Sequence, residues 1–234
     1  MLNKSHLILP DWPAPPNVKA IQTTRQGGIS VAPYDSFNLG MHVQDDALSV
    51  ARNRQLLSQY LPSEPVWLNQ VHGVEVVDAA RCTCIPNADG SFTHQKNVVC
   101  VTMTADCLPV LLCDKQATVV AAVHAGWRSL CDGVIEATIQ NMQVKPENLM
   151  AWLGPAIGPQ AFEVGGEVRA AFIAKDAQSE IAFTPEGNKW RGDLYLIAKQ
   201  RLANSGVIVV YGGGECTYSQ AERYFSFRRD GVTG

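Results

Sequence analysis

Residues 104–127 read TADCLPVLLCDKQATVVAAVHAGW. Two apolar runs, 108–113 and 119–123, flank the polar segment DKQAT. Aliphatic and β-branched residues on either side of such a segment predict two neighbouring strands joined by a turn. Apolarity in these runs is continuous rather than alternating, so both faces of the strands should be covered. Cys107 stands at the start of the first run and His124 at the end of the second. The strand pair therefore ends in a thiol and an imidazole, and whether a third partner exists decides between a core coincidence and a site.

Further runs of the same kind lie outward from this pair. PVWLNQVHG (65–73), VEVVDA (74–79), NVVCVTM (97–103), NLMAWLG (148–154), VIVVYGGG (207–214) and RYFSFRRD (223–230) read as strands, and IQTTRQGGIS (21–30) as a short strand running into loop. Helices are expected over DDALSVARNRQLLSQYL, starting near Asp46 with Leu48, Arg52, Leu56 and Tyr60 spaced by four. SLCDGVIEATIQNM reads as a second helix, with Leu130, Val134, Thr138 and Met142 in step. GGEVRAAFIA and DLYLIAKQRLANSG read as two more, the last capped by Asp193 and stopped by Gly206. About four helices and several buried strands make an α/β chain. The order is not a regular βαβ alternation, which favours a mixed sheet or layered sandwich over a Rossmann fold.

Composition narrows the function. The 234 residues are 46% hydrophobic and carry a formal charge of −3, enough for one sizeable core in a single domain over 1–234. The absence of a basic block argues against a nucleic-acid polymer as partner, though a few arginines would suffice for a single nucleotide or nucleoside. No run approaches the roughly 20 apolar residues of a membrane helix. The four-residue apolar run in MLNKSHLILPDWPAPP is too short for a signal peptide. A soluble, cytoplasmic protein with its seven cysteines reduced is the expectation.

Five histidines are present. His6 and His94 read as surface residues, and His42, after NLGM, is ambiguous. His72 ends WLNQV much as His124 ends VVAAV, and glycine or a small residue follows each, leaving room above the ring. His72, Cys107 and His124 could converge on one rim of a sheet. Two imidazoles and a thiolate suit Zn²⁺ and leave a fourth position open, the mark of a catalytic rather than a structural site. Cys82 and Cys84, in CTC, have the wrong spacing for a zinc knuckle. Cys100, Cys113 and Cys131 read as core thiols. Cys107 differs from them through its neighbours Asp106 and Pro109, which are unusual in a core strand. Arginines beside glycine or at a helix start (Arg25, Arg128 and Arg228, with Arg229 next to it) could hold a phosphate, whereas GGGE (212–215) lacks the Lys-Ser/Thr of a P-loop.

Together, NQVHG, TADCLPVLL, AAVHAGWR, LGPAIGP and CTY…YFSFRRD, preceded by TTRQGGIS…NLG, resemble the bacterial YfiH family over residues 7–234. Members of that family are also called laccase-domain proteins, polyphenol oxidases, peptidoglycan editing factor and purine nucleoside phosphorylases. The resemblance implies a layered α-β-β-α sandwich with mixed sheets and one zinc held by His72, Cys107 and His124. It also implies phosphorolysis of adenosine, inosine, guanosine and methylthioadenosine, with adenosine deamination alongside.

Chemistry then suggests roles. A metal could activate water for attack at C6 of adenosine, with Asp106 as the proton shuttle. Arg25, with Arg128 or Arg228, could hold phosphate. Asn38 and Gln70 could read ribose hydroxyls or base edges, and Trp127 or Phe227 could stack on a purine. Multicopper oxidation would need about ten histidine ligands, so at most one Cu²⁺ in the same cluster could give weak polyphenol oxidation. A metal-free Cys107–His124 hydrolase, for example an amidase acting on peptidoglycan precursors, is the alternative of another class. A non-catalytic binding protein gives no reason for this cluster.

Overall fold

The strand pair expected within 104–127 forms and stands at the middle of a six-stranded mixed sheet. The computed structural model describes residues 2–234. In chain order it runs through β1 (Leu7–Ile8), β2 (Gln22–Thr23), α1 (Ala47–Ser58), β3 (Pro65–Val66), β4 (Val76–Asp78), β5 (Gly90–Thr93) and β6 (Val99–Cys100). The central β7 (Leu108–Asp114) and β8 (Val120–Ala125) follow, then α2 (Trp127–Asp132), α3 (Val134–Met142), β9 (Leu149–Leu153) and β10 (Glu163–Val164). The last third holds α4 (Gly166–Lys175), β11 (Phe183–Glu186), β12 (Lys189–Gly192), α5 (Leu194–Asn204), β13 (Val210–Gly212) and α6 (Phe227–Asp230).

Strand order in the main sheet is β13-β9-β7-β8-β5-β4. The outermost pair on each side is parallel and the inner pairs are antiparallel. Asp114 closes the β7–β8 turn, its carboxylate accepting from the backbone N–H groups of Thr118 at 2.6 Å and Val119 at 3.0 Å and from the Thr118 hydroxyl at 2.9 Å.

Side-chain alternation sorts this sheet into two faces. Leu108, Val110, Leu112, Ala121, Val123, Ala151 and Leu153 join the main core with Leu130, Val134, Ile135 and Met142 of α2 and α3 and Ile197 of α5. Leu111, Ala122 and His124 have the opposite parity. Beyond that second face lie the short parallel pair β3–β6 and a smaller core of Phe37, Leu56, Leu57 and Trp67 that includes α1. The order helix, sheet, sheet, helix is the layered mixed α/β architecture expected, with a second β layer reduced to two-residue strands. Among the described residues no helix is long and apolar enough to cross a membrane.

Four local expectations need correction. Only Pro65–Val66 of 65–73 and Val99–Cys100 of 97–103 are strand. Between these segments the Gln70 side chain takes over the pairing: its amide donates to Met103 O and accepts from Met103 N, each at 2.8 Å. The helix expected over 129–142 breaks at Gly133, whose φ of 103° no helix admits, yet Leu130, Val134, Thr138 and Met142 are all buried. In α1, Asp46 caps the start as expected, accepting from Ser49 N, but the buried stripe is Val50, Asn53, Leu56 and Leu57, and Leu48 is exposed. Finally, 223–230 ends not in strand but in α6, because Ser226 caps it and Asp106 accepts from Arg228 N at 2.6 Å.

Candidate metal centre

His124 lies inside β8, buried, on the sheet face turned away from the helices. Its ring is fixed by Asp89, the residue before β5: Asp89 Oδ1 lies 2.7 Å from His124 Nδ1, and Asp89 O accepts from His124 N, also at 2.7 Å. In the neutral ring, a carboxylate at Nδ1 makes that nitrogen the donor and leaves the lone pair on Nε2.

His72 reaches the same point from a turn in which its own φ is 59°. Asp89 holds this turn too, accepting backbone N–H groups from Val71 at 3.1 Å, His72 at 3.0 Å and Gly73 at 2.7 Å. Cys107 enters from the opposite side, where Asp106 at φ 90° swings the chain into β7. Its Sγ is 3.8 Å from His72 Nε2, and the two imidazoles meet edge-on with centroids 4.7 Å apart.

The ligand atoms of His72, Cys107 and His124 all lie within 4.8 Å of one another, and no other such group of His, Cys, Asp or Glu occurs among the described residues. A tetrahedral zinc with Zn–S of about 2.3 Å and Zn–N of about 2.0–2.1 Å would separate sulfur from nitrogen by about 3.6 Å. The observed spacing suits such an ion. Gly126 preserves the space: a Cβ there would fall 2.8 Å from His72 Cδ2 and 3.1 Å from Cys107 Sγ.

The protons of the cluster are redistributed. Burial disfavours the Cys107 thiolate, but hydrogen bonds and charge from His124 and His72 outweigh it and bring the thiol down to about 7. Burial likewise disfavours the His124 imidazolium, yet the bonds to Asp89 and Cys107 carry it up to about 9. Cys100 and Cys113, with no such partners, are pushed up to about 12 by burial.

A cavity of about 1020 Å³ opens on the cluster and is lined there by His72, Cys107, His124, Arg25, Asn38 and Phe227. The other residues singled out in the sequence divide into those that reach it and those that do not. Arg25 lines it, with its guanidinium on Asp35 O at 2.8 Å and 4.7 Å from the Phe225 ring centroid. Arg128 and Arg228 do not line it. The former lies over Trp127, and the latter donates to Glu163 O at 2.7 Å.

Asn38 and Gln70 line the cavity, but their amides are occupied, Asn38 by Gly40 and Asp45 and Gln70 by Met103. Asp106 stands outside the three-residue cluster, and its oxygens accept from the Thr217 hydroxyl and Arg228 N, both at 2.6 Å. Phe227 is exposed at the cavity, whereas Trp127 packs against the main core.

Sequence reading missed Asp89, because nothing in its spacing points to His124. It left His42 undecided. His42 lines the cavity, and its pKa is lowered by burial and by the charges of Arg54 and His124.

Comparison with known proteins gives a consistent grouping. A family model described as multi-copper polyphenol oxidoreductase laccase matches residues 19–234. A Shigella flexneri protein named purine nucleoside phosphorylase YfiH is 53% identical over 233 residues, covering 98% of this chain and 96% of that protein. Its namesake from Escherichia coli K12 is 52% identical with the same coverage. In three dimensions the chain is similar to the crystal structure of the Neisseria meningitidis protein NMB0706, of the DUF152 family model. The TM-score is 0.95 at 47% identity, over 98% of this chain and 96% of the other.

Proposed function

The chain belongs to the multi-copper polyphenol oxidoreductase laccase family, and we propose that within it the chain is a zinc-dependent purine nucleoside phosphorylase. Its substrates would be adenosine, inosine, guanosine and methylthioadenosine, with adenosine deamination as a side activity, and residues 1–234 would act as one cytoplasmic catalytic domain. The observation that carries this reading is the convergence of His72, Cys107 and His124 on the wall of a cavity of about 1020 Å³, in a chain whose relatives are named purine nucleoside phosphorylase.

His72, Cys107 and His124 would hold the metal. Zinc held there would supply a Lewis acid toward the substrate. The protein's own groups do the rest. Of the three arginines only Arg25 lines the cavity, and it would meet phosphate in competition with its ion pair to Asp35, while Phe227 would offer an exposed ring to a purine face. Asn38 and Gln70 would present their already ordered amides to the sugar or base edge. Asp106 would move a proton while also bound by the Thr217 hydroxyl and Arg228 N, and Arg228, which does not line the cavity, would have to swing in from its bond to Glu163 O. Arg128 would serve from outside the cavity wall.

Incubation of zinc-loaded protein with adenosine, with and without phosphate, tests the reading. Phosphate-dependent release of adenine and ribose 1-phosphate, lost in Cys107→Ala, is the expected result. No turnover by the zinc-loaded protein, of adenosine or of the other three nucleosides tried in its place, would overturn it.

A second reading has one observation in its favour, the line Asp89–His124–Cys107, which is the order of orienting acid, base and nucleophile in a cysteine hydrolase. Metal decides between the two, because zinc would block the thiolate of a hydrolase, whereas chelation would silence the phosphorylase. A single Cu²⁺ in the same cluster would account for weak polyphenol oxidation.

A further inference from the structure

Asp89 is completely buried, and its carboxylate receives four hydrogen bonds, the full complement of such a group. Oδ1 takes His124 Nδ1 at 2.7 Å and His72 N at 3.0 Å, and Oδ2 takes Gly73 N at 2.7 Å and Val71 N at 3.1 Å. One side chain thus grips two separate structures: the ring of a residue in β8, 35 residues after Asp89, and the backbone of a turn 16 to 18 residues before it. The turn needs such a grip. His72 sits at φ 59°, in the left-handed region, where three successive N–H groups face inward and would be left without partners if the carboxylate were gone.

We infer that Asp89 is the positioning residue of the centre, a single carboxylate that fixes His124 as the Nδ1–H tautomer and holds the 71–73 turn so that both histidine Nε2 atoms face Cys107. The inference rests on the reading of His72, Cys107 and His124 as metal ligands. Partners of this kind, hydrogen-bonded behind the ligands, typically change metal affinity about 10- to 100-fold when altered.

Asparagine at this position exposes the logic. Each carboxylate oxygen faces at least one backbone N–H, so the NH₂ of an amide, whichever way it turns, meets a donor. Turned toward Oδ1 it also faces His124 Nδ1 and favours the opposite tautomer, with the hydrogen on Nε2. Turned toward Oδ2 it loses the Val71 and Gly73 N–H groups, and with them most of its hold on the 71–73 turn. Either way one imidazole is lost from the set.

Two measurements on the full-length protein test this. In the first, Co²⁺ is titrated into wild-type protein and Asp89→Asn, following the thiolate-to-cobalt charge-transfer band, with far-UV circular dichroism to confirm folding. A folded variant with at least about 10-fold weaker cobalt binding is expected; a folded variant with unchanged affinity and spectrum overturns the inference. In the second, which needs no variant, ¹⁵N–¹H correlation spectra of metal-free wild-type protein at alkaline pH report the tautomer of neutral His124. A hydrogen on Nδ1 is expected, and one on Nε2 overturns the inference. If wild-type protein gives no cobalt band while His124 shows Nδ1–H, the metal reading fails and the hold of Asp89 on the ring stands.

Discussion

Cys107 and His124 face each other across the β7–β8 edge with their proton affinities moved in opposite directions, the thiol to about 7 and the imidazole to about 9. Without metal, the pair between those values is thiolate and imidazolium. The thiolate is the nucleophile of the two sulfur forms, so in chelated protein Cys107 should react with iodoacetamide with a midpoint near pH 7, well below the ordinary thiol range. Cys100 and Cys113, raised to about 12, should stay unmodified in the folded state. Mass mapping of alkylated peptides across pH checks this, and zinc should protect Cys107 alone. A midpoint near that of a free thiol would show that the imidazoles do not hold the charge. Gly126 gives a second prediction at this scale. In Gly126→Ala the new Cβ would meet His72 Cδ2 at 2.8 Å, closer than real contacts allow, so the imidazole must move. Zinc affinity by chelator competition should fall by at least about 10-fold, with the metal-free fold retained; unchanged affinity would mean that the ring has room elsewhere. The three residues of the candidate centre were legible in the sequence because each stands out from an apolar run. Asp89 was not, since what marks it is a partner across the sheet, and sequence spacing does not record that.

At the scale of elements, the β7–β8 turn carries its own stabilising device. Burial raises the cost of the Asp114 carboxylate, but the N–H groups of Val119, Thr118 and Gln116 and the Thr118 hydroxyl more than compensate, and its pKa lies below the ordinary carboxylate value. A group depressed on folding contributes stability that is complete above its unfolded value of about 3.9 and is lost as pH falls through the folded value. Asp114→Asn should therefore cost about 1–3 kcal/mol near neutral pH, and the gap from wild type should narrow as pH drops below about 4. Urea unfolding at a series of pH values measures it, and a gap constant with pH would remove the charge from the account. Elements were read correctly where periodicity and caps agree, as for β7, β8, β9 and α5. They were misread where a tertiary partner replaced the local pattern. Gln70 pairs with Met103 in place of a strand ladder, and Asp106 helps to start α6 where aromatic residues suggested strand. Gly133 splits one amphipathic stripe into two helices, a break that the apolar spacing alone conceals.

Across the whole molecule, the main core lies on one face of the sheet and the candidate centre on the other, so the chemistry does not compete with the packing that holds β7 and β8. The centre joins three segments: the 71–73 turn, the entry to β7 and the end of β8. Two of these are adjacent strands fixed by their ladder, and the third is tied in by hydrogen bonds to one carboxylate. A metal bridging all three should stabilise the folded state by mass action, because the unfolded chain does not assemble the set. At free zinc about one hundred times the dissociation constant the gain is about 2.7 kcal/mol. For a chain of this size, about 2–4 °C per kcal/mol converts that to a rise in Tm of about 5–11 °C. Scanning calorimetry with zinc and with chelator should show that rise. His72 is exposed and outside both cores, so His72→Ala should abolish most of the rise while leaving the metal-free Tm within about 1 °C of wild type. A rise that survives in His72→Ala would place the stabilising metal elsewhere on the chain, and a metal-free Tm that drops with the variant would make His72 a structural residue first.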